Sequence, residues 1–109
     1  NYSIEKHLFM FDFTQLDTKL IKRLKAYRLR RALAHPDRYR IVELLHRKGN
    51  LHLGDILMDL RIGQRKGKSH IAALRRLGIL QRQPDSTRLA LSGQAKPYLK
   101  DILKDASSN

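Results

Sequence analysis

The chain has 109 residues, of which 41% are apolar and 6% aromatic, with no Trp. That suffices for one modest core built mainly of Leu and Ile, and it excludes disorder on grounds of composition. The 23 Lys and Arg outnumber the 10 Asp and Glu to give a formal net charge of +13, and the lack of Cys excludes disulfides, thiolate metal sites and thiol redox sensing.

Residues Tyr2 to Phe13 hold all three Phe of the protein, at Phe9, Phe11 and Phe13. An arm this apolar needs a partner surface, and a second copy of the chain would supply one. The first helix is expected from about Thr14 to Ala34. Leu16, Leu20, Leu24 and Tyr27 form its apolar stripe, and Lys19, Lys22, Arg23, Lys25 and Arg30 its opposite face. His35-Pro36-Asp37 then breaks and restarts the helix, with Pro at a first helical position and an acid in the first turn. The second helix turns Ile41, Val42, Leu44 and Leu45 inward and stops at Gly49-Asn50.

The third helix is short, with Leu53, Ile56, Leu57 and Leu60 at spacings i, i+3, i+4 and i+7. Arg61-Ile62-Gly63 reads as a tight turn, with Gly63 as its left-handed residue. The fourth helix runs from about Gln64 to Leu77, with Gly67, Ile71, Leu74 and Leu77 inward, and ends at Gly78. Two strands follow, near Ile79 to Gln83 and Thr87 to Ser92. Pro84-Asp85-Ser86 turns between them. A last helix from about Gly93 to Lys104 carries Tyr98, Leu99, Ile102 and Leu103, and the tail is expected to fray.

A short helix, a tight turn, an amphipathic helix and a basic hairpin, in that order, describe a winged helix-turn-helix. The fold expected is thus mainly α with a small β-hairpin. The basic residues cluster: nine Lys or Arg against one acid from Lys19 to Arg40, and eight against one from Arg61 to Arg88. Such a surface attracts polyanions, nucleic acid first among them. Expected DNA contacts are Arg38, Gln64, Arg65, Lys66, Lys68, Ser69 and His70, with Arg82 and Arg88 on the wing. Arg reads guanine through two hydrogen bonds and Gln reads adenine, whereas wing arginines suit phosphate or the minor groove.

Residues His35 to Ser92 resemble the ArsR-type winged-helix transcriptional regulators. The resemblance rests on Ala32-Leu33-Ala34-His35-Pro36-Asp37-Arg38-Tyr39-Arg40-Ile41-Val42 at the second helix and on Leu51-His52-Leu53-Gly54-Asp55-Ile56-Leu57 before the turn. It extends through Gln64 to Leu77 with its Ser69-His70-Ile71 step, Leu77-Gly78-Ile79-Leu80, and Thr87-Arg88-Leu89-Ala90-Leu91-Ser92. It implies a symmetric dimer on a palindromic operator, repression by promoter blocking, and pairing of the first and last helices. The expected dimer contacts are Phe9, Phe11, Phe13, Leu16, Leu20, Leu24, Tyr98, Leu99 and Ile102. Residues 1–34 would be arm and dimerisation helix, 35–92 the DNA-binding core and wing, 93–105 a second dimerisation helix and 106–109 a tail.

The chain also departs from that pattern. His52 and Gly54 occupy the positions of a metal-sensing Cys-x-Cys pair, and the last helix lacks the Asp and His pair of a second known site. Lys68 stands where relatives carry a DNA-contacting Ser, and Gly67 where an aliphatic is expected. The five His are scattered, with no i, i+3 or i, i+4 pair. No metal, no cofactor and no catalytic group is therefore expected. Gly63 to Ser69 ends in Gly-Lys-Ser, but three residues separate its glycines where a phosphate-binding loop needs four, and no strand precedes it. No apolar run is long enough to span a membrane and none reads as a signal peptide, so a cytoplasmic location is expected. Two alternatives stay open: a winged-helix accessory protein binding DNA or RNA without sequence preference, and a winged-helix module docking on an acidic protein.

Overall fold

The computed structural model describes residues 18–84 and 86–107. Among them are five helices: α1 (Thr18–Ala32), α2 (Pro36–Lys48), α3 (Leu53–Leu60), α4 (Gln64–Arg76) and α5 (Lys96–Ser107). Three short strands, β1 (Asn50–His52), β2 (Leu80–Arg82) and β3 (Arg88–Leu91), form one antiparallel sheet with β3 in the centre. Architecture and order are those of a winged helix-turn-helix. The apolar N-terminal arm, Leu16 and the Asp85 turn position lie outside the described residues.

Strand β1 directly follows Gly49, between the second and third helices, where the sequence pattern predicts no strand. Its three residues pair with β3 in the register Asn50↔Ala90, Leu51↔Leu89 and His52↔Arg88. Asn50 thus begins a third strand, so the wing is a three-stranded sheet rather than a bare hairpin. β2 pairs on the other edge, Leu80↔Leu91 and Arg82↔Leu89.

α2 is the central element. Ile41, Val42, Leu44 and Leu45 are all but completely buried, and they meet Ile56, Leu74 and Leu99 from three other helices. Asp37 lies in its first turn and His46, Arg47 and Lys48 in its last, the arrangement the helix dipole favours. Arg40 reaches from α2 to donate to the carbonyl of Leu60 at 2.6 Å, satisfying a group that the end of α3 leaves unpaired.

Three expected placements are corrected. The left-handed residue of the turn is Arg61, at φ 56° and ψ 46°; Gly63 is extended and precedes α4. Ile62 N–H donates to Leu57 O and Arg61 N–H to Met58 O, a Schellman closure that normally takes glycine where Arg61 stands. The second correction is Leu77, which follows the end of α4 and is 58% exposed instead of facing inward. The third is the last helix, which begins at Lys96 rather than Gly93 because Ser92 accepts from Ala95 and Lys96 N–H and forms a turn first.

Gly67 sets how closely α4 packs on α3. It is buried, and a Cβ there would collide with the side chain of Leu57. Alanine at this position would improve intrinsic helix propensity by about 1 kcal/mol. Overpacking a close contact costs about 1–3 kcal/mol, which outweighs that gain. Gly67→Ala should therefore lower stability by about 1 kcal/mol in a denaturant titration. A stabilised variant would show that the two helices are free to move apart.

Candidate nucleic-acid interface

The face of α4 is fixed by what it buries. Gly67, His70, Ile71, Ala73 and Leu74 point into the protein. Gln64, Arg65, Lys66, Lys68, Ser69, Ala72, Arg75 and Arg76 are exposed. Arg65 and Ser69 lie one turn apart on that outer side.

The charge on α4 runs against its dipole at the N-terminal end. Its first turn has no acid and no side-chain cap, and Arg65, Lys66 and Lys68 crowd the end that already carries partial positive charge. In α2 the same end carries Asp37. A bound polyanion would compensate the exposed N–H groups and the cations of α4 together.

The wing offers cations on both of its faces. In the antiparallel register Arg82 stands opposite Leu89 and Arg88 opposite His52, so pleating places Arg82 and Arg88 on opposite sides of the sheet. Arg88 donates to Asn50 Oδ1 at 3.0 Å, and His52 Nδ1 lies 3.0 Å from Thr87 Oγ1, so β1 braces the wing. Arg82 instead lines an open groove with Ala72, Arg75, Arg76, Leu80 and Gln81. Arg75 and Arg76 thereby join the wing arginine in one basic patch. The sequence showed their charge, but only the packing of β2 against α4 places them beside Arg82.

His70 does not belong with the exposed contacts. It is 9% exposed, its ring centroid lies 4.3 Å from that of His35, and Arg38 Nε donates to its Nδ1 at 3.3 Å. Its second nitrogen, Nε2, lies 3.9 Å from Asp37 Oδ2. Arg38 is thus half-buried and engaged with His70, at the rim of the basic face.

The expected dimer residues divide. Leu20 and Leu24 of α1 are 45% and 51% exposed, and Tyr27 and Leu77 are exposed with them. Tyr98 and Ile102 are half-buried. Leu99 is fully buried in the core of one chain, so it is removed from the surface contacts. A cleft lined by Arg28, Leu29, Leu77, Ile79, Ala95 and Tyr98 continues this apolar face.

The fold is shared with solved structures of winged-helix proteins. Reduced HlyU from Vibrio cholerae matches with a TM-score of 0.64 at 24% identity, over 84% of this chain and 97% of that one. The homodimeric winged helix-turn-helix DNA-binding domain of Mb0332 from Mycobacterium bovis, a possible ArsR-family transcriptional regulator, matches with a TM-score of 0.63 at 21% identity, over 86% and 88%. The transcriptional repressor BigR from Xylella fastidiosa matches with a TM-score of 0.60 at 22% identity, over 83% and 96%. No protein-family model matches the chain, and no curated protein matches it. At these identities the likeness establishes the winged helix-turn-helix fold.

Burial of His70 carries a consequence for stability. Desolvation, followed by the neighbouring His35 and Arg38, lowers its pKa from 6.5. The unfolded chain takes up a proton near pH 6.5 that the folded chain refuses. Stability linked to this group is thus complete above pH 6.5 and declines as the pH falls below it. Urea titrations over that range should show the decline, and His70→Gln should flatten it. An unchanged slope in the variant would mean that other groups control the acid limb.

Proposed function

We propose that the chain is a sequence-specific DNA-binding transcriptional regulator, acting as a symmetric homodimer on a palindromic operator and repressing by occupying a promoter. The observation that carries this reading is the exposed basic side of α4, with no acid at its N-terminal end and with Arg75 and Arg76 beside Arg82 of the wing. In this reading residues 35–92 bind DNA, while residues 1–34 and 93–105 pair the two subunits. HlyU, Mb0332 and BigR support it by their shared fold, Mb0332 by its homodimer and BigR by its role as a repressor. The Cys-x-Cys sensor chemistry of ArsR-type proteins has no thiol to work with here, since His52 and Gly54 occupy those positions.

Arg65 and Ser69, flanked by Gln64, Lys66 and Lys68, enter the major groove in this proposal. Arg82, Arg75 and Arg76 meet the phosphate backbone. Selection of sites from random DNA should return a palindrome. Arg65→Ala should then cost about 1–3 kcal/mol on that site and flatten discrimination at one base pair. Arg82→Ala leaves the Arg88–Asn50 bond intact. It should weaken selected and scrambled DNA alike and reduce the salt slope by about one unit. Equal loss on both DNAs for Arg65→Ala would favour the accessory protein without sequence preference.

The dimer has its own test. Leu20, Leu24, Tyr27 and Leu77 leave an apolar surface on one side of α1 and beside it. Light scattering at high micromolar concentration should give twice the mass of one chain, and Leu24→Lys should shift the population toward monomer. A wild-type monomer at that concentration would overturn the paired arrangement.

A further inference from the structure

The packing of α4 onto the start of α2 creates a cluster that no local spacing shows. His35 precedes α2, Asp37 lies in its first turn and His70 comes from the middle of α4. One ligand atom from each lies within 4.8 Å of the others. His35 is exposed, Asp37 is half-buried and His70 is buried, so the cluster opens to solvent on one side.

We propose that His35, Asp37 and His70 form a binding site for a divalent transition metal of the zinc, cobalt and nickel class. The site goes beyond the DNA-binding reading and does not depend on it. Two imidazoles and one carboxylate are the donor set these ions take, with remaining positions left to water. Tetrahedral ligands about 2.0–2.1 Å from zinc stand about 3.3 Å apart. His70 Nε2 and Asp37 Oδ2 are already 3.9 Å apart, so side-chain rotation closes the difference. Arg40 engages Asp37 through Oδ1 at 3.4 Å and leaves Oδ2 available. Asp37 contributes the negative charge; Arg38, Arg40 and Lys66 oppose a cation and hold the affinity down.

Metal binding would also rearrange the hydrogen bonds of the cluster. His70 Nδ1 accepts from Arg38 Nε at 3.3 Å, so its proton resides on Nε2. Ligation through Nε2 moves that proton to Nδ1, which can then no longer accept from Arg38. The ion would thus exchange the Arg38 bond for a bridge between α2 and α4. Arg38 would be released toward the basic face.

The test uses the full chain, without DNA, titrated with Co²⁺ alone and followed by its visible absorption. One saturable equivalent per chain is expected, displaced by Zn²⁺. His35→Gln and Asp37→Asn should each weaken binding on the order of 10–100-fold or more. His35 also caps α2 by accepting from Asp37 N–H at 3.3 Å, so an unchanged far-ultraviolet circular dichroism spectrum of His35→Gln isolates the loss of the ligand from loss of the cap. His70→Gln should abolish the signal while far-ultraviolet circular dichroism stays unchanged. A chain with His7, His46 and His52 all changed to Gln should bind as the parent does. The proposal is overturned by a chain that takes up no stoichiometric Co²⁺, by His35→Gln binding as the parent does, or by loss of binding in the triple variant.

Discussion

The close approach of α3 and α4 at Gly67 is the contact on which the geometry of the helix-turn-helix rests. A helix that must present one face to solvent is held by the opposite face, and here that face has a gap in it. Leu57 of α3 occupies the space a side chain at Gly67 would need. The same Leu57 gives its carbonyl to Ile62 N–H and so closes the turn between the helices. Packing and turn thus share one residue. Behind them Arg40 ties α2 to the last carbonyl of α3, so all three helices of the core are fixed relative to one another. Arg61 accepts a left-handed backbone, usually costly for a residue with a Cβ, because this closure requires it.

Electrostatics works in the opposite direction from packing. Helix α2 follows the ordinary rules: acid at its start, bases at its end, and an i, i+4 pair between Glu43 and Arg47 at 3.0 Å. The outer side of α4 breaks them. Cations gather where the dipole is already positive, and no acid on the same helix offsets them. An anionic ligand at this end of α4 would complement both the cations and the helix dipole.

Much of the fold can be read along the chain because its helices are amphipathic over two turns or more. The spacing of Leu53, Ile56, Leu57 and Leu60, or of Ile71 and Leu74, leaves little choice of inner face. The failures have different physical origins. Asn50 to His52 is too short for a period to register, and its strand partner lies far along the sequence at Arg88 to Ala90. Leu77 continues the apolar phase of α4, yet the helix has ended by that point. Leu99 carries the same apolar signal whether it faces a core or a second subunit, and only its complete burial within one chain separates the two. The cluster of His35, Asp37 and His70 cannot be read along the chain because His70 comes from α4 while His35 and Asp37 stand at the start of α2; the basic N-terminal end of α4 is legible because all its residues lie on one helix.

Ser92 connects the two ends of this machinery. Its hydroxyl donates to Gly78 O at 2.6 Å, at the exit of α4, and accepts from Ala95 N–H at 3.2 Å, just ahead of α5. Its own N–H donates to Ile79 O at 2.8 Å. One small side chain therefore joins the exit of α4, the return strand of the wing and the approach to the last helix. The linkage leaves no loose hinge at that junction. A displacement of α5 must carry α4 with it or break these bonds, so a signal arriving at the far end of the chain would travel as a lever stroke rather than as slack.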